Sequence, residues 1–142
     1  MPTRNASAQW EGGLKGGKGS FKGESGKIGG DYSFGSRFGD AGGTNPEELL
    51  AAAEAACFSM ALSVALEGNG TTATRVETRA ACTVEKVGEG FKITTMKLDV
   101  RAKVPNLDAA KFQQIAENAK KTCPVSMALA GVNITMDAKL ES

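Results

Sequence analysis

Residues 45–68 read NPEELLAAAEAACFSMALSVALEG, and the reading of this stretch decides how the rest of the chain is arranged. Asn45 or Thr44 can cap a helix, Pro46 suits its first position, and Glu47 and Glu48 favour the positive end of its dipole. Gly68 and Gly70 end the run. From Leu49 to the residue before Glu67, only Glu54 interrupts the apolar and small side chains. A helix apolar nearly all round is buried on most sides, so the stretch predicts a long buried central helix. In a chain of 142 residues a dimer interface is a natural cover for its remaining face.

Outward from this helix the pattern changes on both sides. Thirteen of the eighteen glycines lie in the first 43 residues, which predicts strands and turns there. AQWEG, GSFKG and DYSFGSRFGD are the strand candidates. After the helix, Val76, Ala80, Cys82 and Val84 alternate with Arg75, Glu77, Arg79 and Glu85, the mark of a half-buried strand. VGEG turns this strand into FKITTMKLDVRAKV, whose apolar parity shifts at Thr94–Thr95 and so predicts a bulge. DAAKFQQIAENAKK predicts a helix with Phe112, Ile115, Ala116 and Ala119 on one face. CPVSMALAG predicts a short helix begun at Cys123–Pro124 and closed by Gly131, and VNITMDAKL a final strand. The class is α+β: N-terminal strands, the central helix, a β-hairpin, two further helices and a last strand. With no internal repeat or linker, residues 1–142 are expected to form a single domain.

Composition removes much chemistry. A net charge of +1 gives no electrostatic case for nucleic acid or an anionic membrane as partner. The uncharged run of the central helix, Ala55 to Leu66, has 12 residues against the roughly 20 a membrane span requires. Met1 to Gly13 has no apolar core of a secretory signal, so the expected location is the cytoplasm. There is no histidine, which excludes Ser–His and Cys–His pairs and most zinc-ligand sets. Catalysis, if any, falls to cysteine, carboxylates, Arg, Lys or Tyr32.

The three cysteines are widely spaced, with no C-x-x-C motif, unlike a disulfide framework or a metal knuckle. Cys82 shares the inward parity of its strand and reads as packing. Cys57, in the middle of an apolar helix, should have a raised pKa unless a positive charge lies close. Cys123 falls beside a helix N-terminus after Lys120 and Lys121, where the thiolate is favoured. Pattern alone does not order Cys57 and Cys123.

At GTNPEELLAAAEAACFSMALS and CPVS the sequence resembles the osmotically inducible protein C (OsmC) family, relatives of the organic hydroperoxide resistance proteins. The resemblance extends through WEGGLKGGKG, ESG and RFG to the terminal KLES, and the paired Glu after Asn-Pro with the CPVS motif is similar to the OsmC branch. It implies a thiol-dependent peroxidase that reduces organic hydroperoxides to alcohols in oxidative or osmotic stress. It also implies an intertwined homodimer with two sites at the subunit interface, recycled by an external dithiol or lipoyl-type reductant rather than by a flavin or metal cofactor. Position by position, it makes Cys57 the peroxidatic cysteine, Cys123 the resolving one, Arg37 the arginine beside the attacking thiol and Glu47 the carboxylate that holds it. One departure stands out: Glu54 occupies a position where many relatives are expected to carry histidine, and its charge would raise the pKa of Cys57.

These roles suit the chemistry. The thiolate, not the thiol, attacks an O–O bond, and without histidine its stabilising charge should be arginine, which stays ionised when buried and needs a carboxylate partner there. Attack leaves a sulfenic acid at Cys57 that Cys123 can convert to a disulfide. Cys57 lies ten residues after Glu47, about 15 Å of rise on one helix. Glu47, and Arg37 with it, should therefore come from the partner subunit, giving a composite site. The apolar neighbours Phe58 and Met60, with Phe34 and Phe38 beside Arg37, suit lipid-like or aromatic hydroperoxides better than hydrogen peroxide. The competing readings are a thiol redox sensor without sustained turnover and a hydrophobic-ligand-binding stress protein.

Overall fold

In the computed structural model, which describes residues 1–141, the chain forms two compact units, Met1–Glu48 and the residues from Leu49 onward. The first unit opens with strands β1 (Ala6–Glu11), β2 (Lys18–Gly23) and β3 (Gly29–Tyr32), an antiparallel meander. Trp10 and Tyr32 lie in register on either side of Gly19, their rings 5.5 Å apart. A Cβ at Gly19 would come within 2.6 Å of the Tyr32 ring, so glycine makes room for that pair.

The expected third strand is only half correct. Within DYSFGSRFGD, Asp31 and Tyr32 belong to β3, but Phe34–Phe38 form a short helix, α1. Local capping chemistry decides the matter. The Ser36 amide donates to the Ser33 hydroxyl oxygen at 3.0 Å and the Ser33 amide to the Ser36 hydroxyl oxygen at 2.8 Å, a reciprocal capping box.

Helix α2 (Pro46–Gly68) is capped by Asn45, whose side-chain oxygen accepts from the Glu48 amide at 2.8 Å. Gly70, at φ +80, lies in the turn after its end. The helix leads to β4 (Arg75–Val87) and β5 (Gly90–Lys103), an antiparallel hairpin. Its register shifts between Thr83 and Val84: Thr83 pairs with Thr95 and Val84 with Ile93, so Thr94 is the extra residue of the predicted bulge. Helices α3 (Ala109–Thr122) and α4 (Pro124–Ala128) carry the crossover to β6 (Asn133–Glu141), which pairs parallel to β5 and completes the order β4-β5-β6.

One core serves this second unit. Met96, Leu98, Val100 and Ala102 alternate along the central strand β5, and they share a buried cluster with Phe58, Leu62 and Leu66 of α2 and Phe112, Ala116 and Ala119 of α3. Length and apolarity alone would let α2 cross a membrane, but Glu54, Phe58, Leu62 and Leu66 form a fully buried row at four-residue spacing, so α2 is a core helix. Burial is one-sided within the chain: Met60 and Val64 are 72% and 62% exposed.

Candidate active site

The first unit holds the arginine and its carboxylate. Arg37 is on α1 and Glu47 in the first turn of α2, and two bonds tie α1 to the residues that begin α2. The Ser36 hydroxyl donates to the Thr44 carbonyl at 2.8 Å, and Asn45, while capping α2 with its oxygen, donates from its side-chain nitrogen to the Ser36 carbonyl at 3.0 Å. At Gly43, φ is +112 and a Cβ would lie 2.8 Å from the Asp31 carbonyl, so the loop between the helices requires glycine there. Arg37 then reaches buried Glu47: Nε donates to both carboxylate oxygens at 3.0 and 3.2 Å, and Nη2 to Oε1 at 2.8 Å. One edge of the guanidinium is thus occupied, which fixes the plane of the group. Its carbon lies 5.2 Å from the centroid of the Phe38 ring, which packs 5.1 Å from that of Phe34.

The second unit holds the thiols. Cys57 is half-buried near the middle of α2, and Cys123 is fully buried where α3 ends and α4 begins. The expectation of a helix N-terminus at Cys123 holds: its amide donates to the Ala119 carbonyl, and its carbonyl accepts from the Met127 amide, both at 2.9 Å. Although 66 residues apart in sequence, the two sulfurs lie 2.9 Å apart and share a thiol hydrogen. A disulfide requires about 2.05 Å, so little movement separates this arrangement from a covalent bond. Burial pushes the Cys57 thiol above its ordinary pKa, and the hydrogen shared with Cys123 adds to the rise. The Val125 amide at the start of α4 opposes it, while the charges of Cys123 and Glu54 contribute the smallest upward pushes.

One contact here was not expressed in the sequence reading. Ser126, a turn along from Cys123, donates its hydroxyl to Glu54 Oε1 at 2.5 Å, a turn before Cys57. Both side chains are buried, and Glu54 Oε2 has no hydrogen-bond partner among the described residues. The three-residue offsets of Glu54 from Cys57 and of Ser126 from Cys123 were the available signal. Cys82, on β4, packs against the core as its parity predicts. No group of three or more His, Cys, Asp or Glu side chains able to hold a metal occurs among the described residues. The predicted site residues thus form two constellations, Arg37 with Glu47 in one unit and Cys57 with Cys123 in the other.

Comparison with known proteins places the chain among described relatives. A family model described as OsmC-like protein matches residues 39–137. Peroxiredoxin OsmC of Escherichia coli K12 is 46% identical over 98% of this chain and 97% of its own. Organic hydroperoxide resistance protein OhrB of Bacillus subtilis is 40% identical over 70% of this chain and 69% of its own. The crystal structure of OhrB superposes with a TM-score of 0.71 at 26% identity, over 95% of this chain and 98% of that one. An organic hydroperoxide resistance protein OsmC from Legionella pneumophila has the same fold, with a TM-score of 0.74 at 23% identity over 98% of this chain and 99% of that one. An α+β fold with two facing thiols and relatives of these kinds defines a cysteine-based peroxidase. Within that class, the chain belongs to the OsmC family.

Proposed function

We propose that the chain reduces organic hydroperoxides to alcohols through a Cys57 sulfenic acid and a Cys57–Cys123 disulfide. The observation that carries this reading is the 2.9 Å approach of the two sulfurs, with Cys57 partly open and Cys123 wholly enclosed. The accessible thiol suits attack on a substrate and the enclosed one suits resolution. The Cys57 thiolate takes one oxygen of the hydroperoxide: an S–O bond forms, the O–O bond breaks, and the alkoxide leaves as alcohol after gaining a proton. Cys123 then displaces the sulfenic oxygen as water, forming the S–S bond. An external dithiol or lipoyl-type carrier restores both thiols; no flavin or metal enters the cycle.

Raised by burial, Cys57 requires a cation near its sulfur to attack at neutral pH. Arg37, its orientation set by Glu47, is the group we assign to that task, and both come from the partner subunit in a homodimer with composite sites. The ten-residue offset of Cys57 from Glu47 along α2 supports this arrangement, as does the exposed apolar side of the helix, which a second copy would cover. The whole chain acts in this reading as one OsmC-like domain, in the cytoplasm, where thiols are kept reduced. Phe58 lies in the core and Met60 on the exposed side of α2, so the preference for organic hydroperoxides rests on the aromatic rings of Phe34 and Phe38 that flank Arg37. A kcat/KM for hydrogen peroxide equal to that for an aryl hydroperoxide would remove this preference.

The deciding experiment is a non-reducing peptide map of the reduced protein after one equivalent of cumene hydroperoxide. The expected product is a Cys57–Cys123 disulfide with Cys82 still alkylatable; an unmodified Cys57 would overturn the reading. Disulfide formation that no reductant reverses would favour a redox sensor.

A further inference from the structure

The proposed cycle makes no use of Glu54, a carboxyl placed in an apolar row. At the spacing of Phe58, Leu62 and Leu66, position 54 is one where an aliphatic side chain would bury without the desolvation penalty of a carboxyl. Glu54 is fully buried instead, with the Ser126 hydroxyl on Oε1 and no described partner on Oε2. The bond joins α2 to α4 one turn from the place where Cys57 meets Cys123. Helix α4 has only five residues, too few to hold a position by its own hydrogen bonding, so its docking depends on contacts with neighbouring elements. Two groups that address Cys57, the Cys123 thiol and the Val125 amide, are carried by the first residues of this short segment.

We propose that the Glu54–Ser126 bond is a positioning clasp that holds Cys123 against Cys57, so that the sulfenic acid is captured as a disulfide before it is oxidised further. The inference rests on the peroxidase reading above. Two fates compete for the sulfenic acid. Cys123 attacks its sulfur, forming S–S and releasing the oxygen as water with the Cys123 proton. Alternatively a second hydroperoxide transfers an oxygen to the same sulfur, leaving a sulfinic acid and an alcohol. The first route is intramolecular, so its rate depends on how closely α4 is held, whereas the second depends on hydroperoxide concentration. Glu54 and Ser126 do not touch the reacting atoms in this account; they act through Cys123.

The test uses the full chain, reduced and mixed with excess cumene hydroperoxide. Loss of the Cys57 thiol, appearance of the disulfide and appearance of sulfinic acid are followed separately by quenched alkylation and mass measurement. Ser126→Ala is expected to slow disulfide formation by about tenfold or more, in line with the sensitivity of intramolecular steps to small displacements. Cys57 is expected to be consumed within a few-fold of the wild-type rate, with sulfinic acid accumulating at Cys57. Glu54→Leu restores an apolar row while removing the clasp, and is expected to show the same partition should Ser126→Ala fold poorly. Ser126→Thr and Glu54→Gln retain the hydroxyl donor and a carbonyl acceptor, so both are expected to resolve like the wild type. Disulfide formation at the wild-type rate in folded Ser126→Ala or Glu54→Leu, without added sulfinic acid, would overturn the clasp and leave the peroxidase reading intact. A wild-type chain that forms no disulfide would overturn the peroxidase reading itself.

Discussion

At the scale of single residues, opposing influences converge on one sulfur. Burial raises the pKa of Cys57, the Val125 amide lowers it, and the Glu54 charge adds a small upward push. Below its pKa, any change that lowers the value enlarges the thiolate fraction and speeds attack. Glu54→Gln removes the charge while keeping an acceptor for Ser126. It should therefore shift the pH profile of Cys57 alkylation slightly towards lower pH; a shift towards higher pH would contradict the sign assigned to Glu54. Arg37→Met removes the guanidinium that Glu47 orients. Its expected result is a profile moved towards higher pH and a fall in kcat/KM of about 100-fold or more, the scale seen when a preorganised donor is removed from a developing charge. Stopped-flow turnover with cumene hydroperoxide measures it.

At the scale of elements, the joint between α1 and α2 and the buried row on α2 have different consequences. Asn45 caps α2 and also holds the Ser36 carbonyl, so it serves both helix stability and the placement of Arg37. Asn45→Ala should lower stability by about 1 kcal/mol, the usual loss of an N-cap. Its kcat/KM should fall by more than a stability loss of that size explains, because α1 loses a tether; wild-type turnover at reduced melting temperature would show that Asn45 serves the helix alone. Phe58→Ala acts through packing. Phe58 is fully buried among β5 and α3 side chains, and its truncation should cost about 3–5 kcal/mol in denaturant unfolding. The alternation of β4, the bulge at Thr94 and the face of α3 were legible because burial repeats at a fixed spacing. Helix α1 was not, because its five residues contain no such repeat and its signal is the Ser33–Ser36 capping pair.

At the scale of the whole molecule, the composite-site proposal can be separated from a site built within one chain. Cys57→Ser and Arg37→Met should each be nearly inactive as homodimers. In a mixed dimer, one composite site retains both Cys57 and Arg37 of the partner subunit while the other lacks both. Each mixed dimer should therefore have about half the activity of a wild-type dimer, so that an equal mixture under free subunit exchange recovers towards a quarter. No recovery from a confirmed mixed dimer would place Arg37 and Cys57 in the same chain. Met60→Glu, on the exposed side of α2, is expected to weaken association and to reduce turnover in parallel with the dimer fraction measured by sedimentation.

Helix caps, apolar spacing and strand parity are local properties of the chain, so the order and kind of most elements could be read from the amino acids alone. The sequence also removed histidine chemistry outright and, among the three cysteines, read Cys82 as packing and left Cys57 and Cys123 open. Assigning roles to those two drew on family resemblance, since spacing leaves both open. Tertiary structure decided that residues 66 apart place their sulfurs at 2.9 Å, that Cys123 is the enclosed thiol, and that Glu54 meets Ser126. It likewise decided that β6 pairs parallel to β5. Contacts between distant segments depend on how α3 and α4 return the chain across the sheet, and no periodicity within a single segment carries that information.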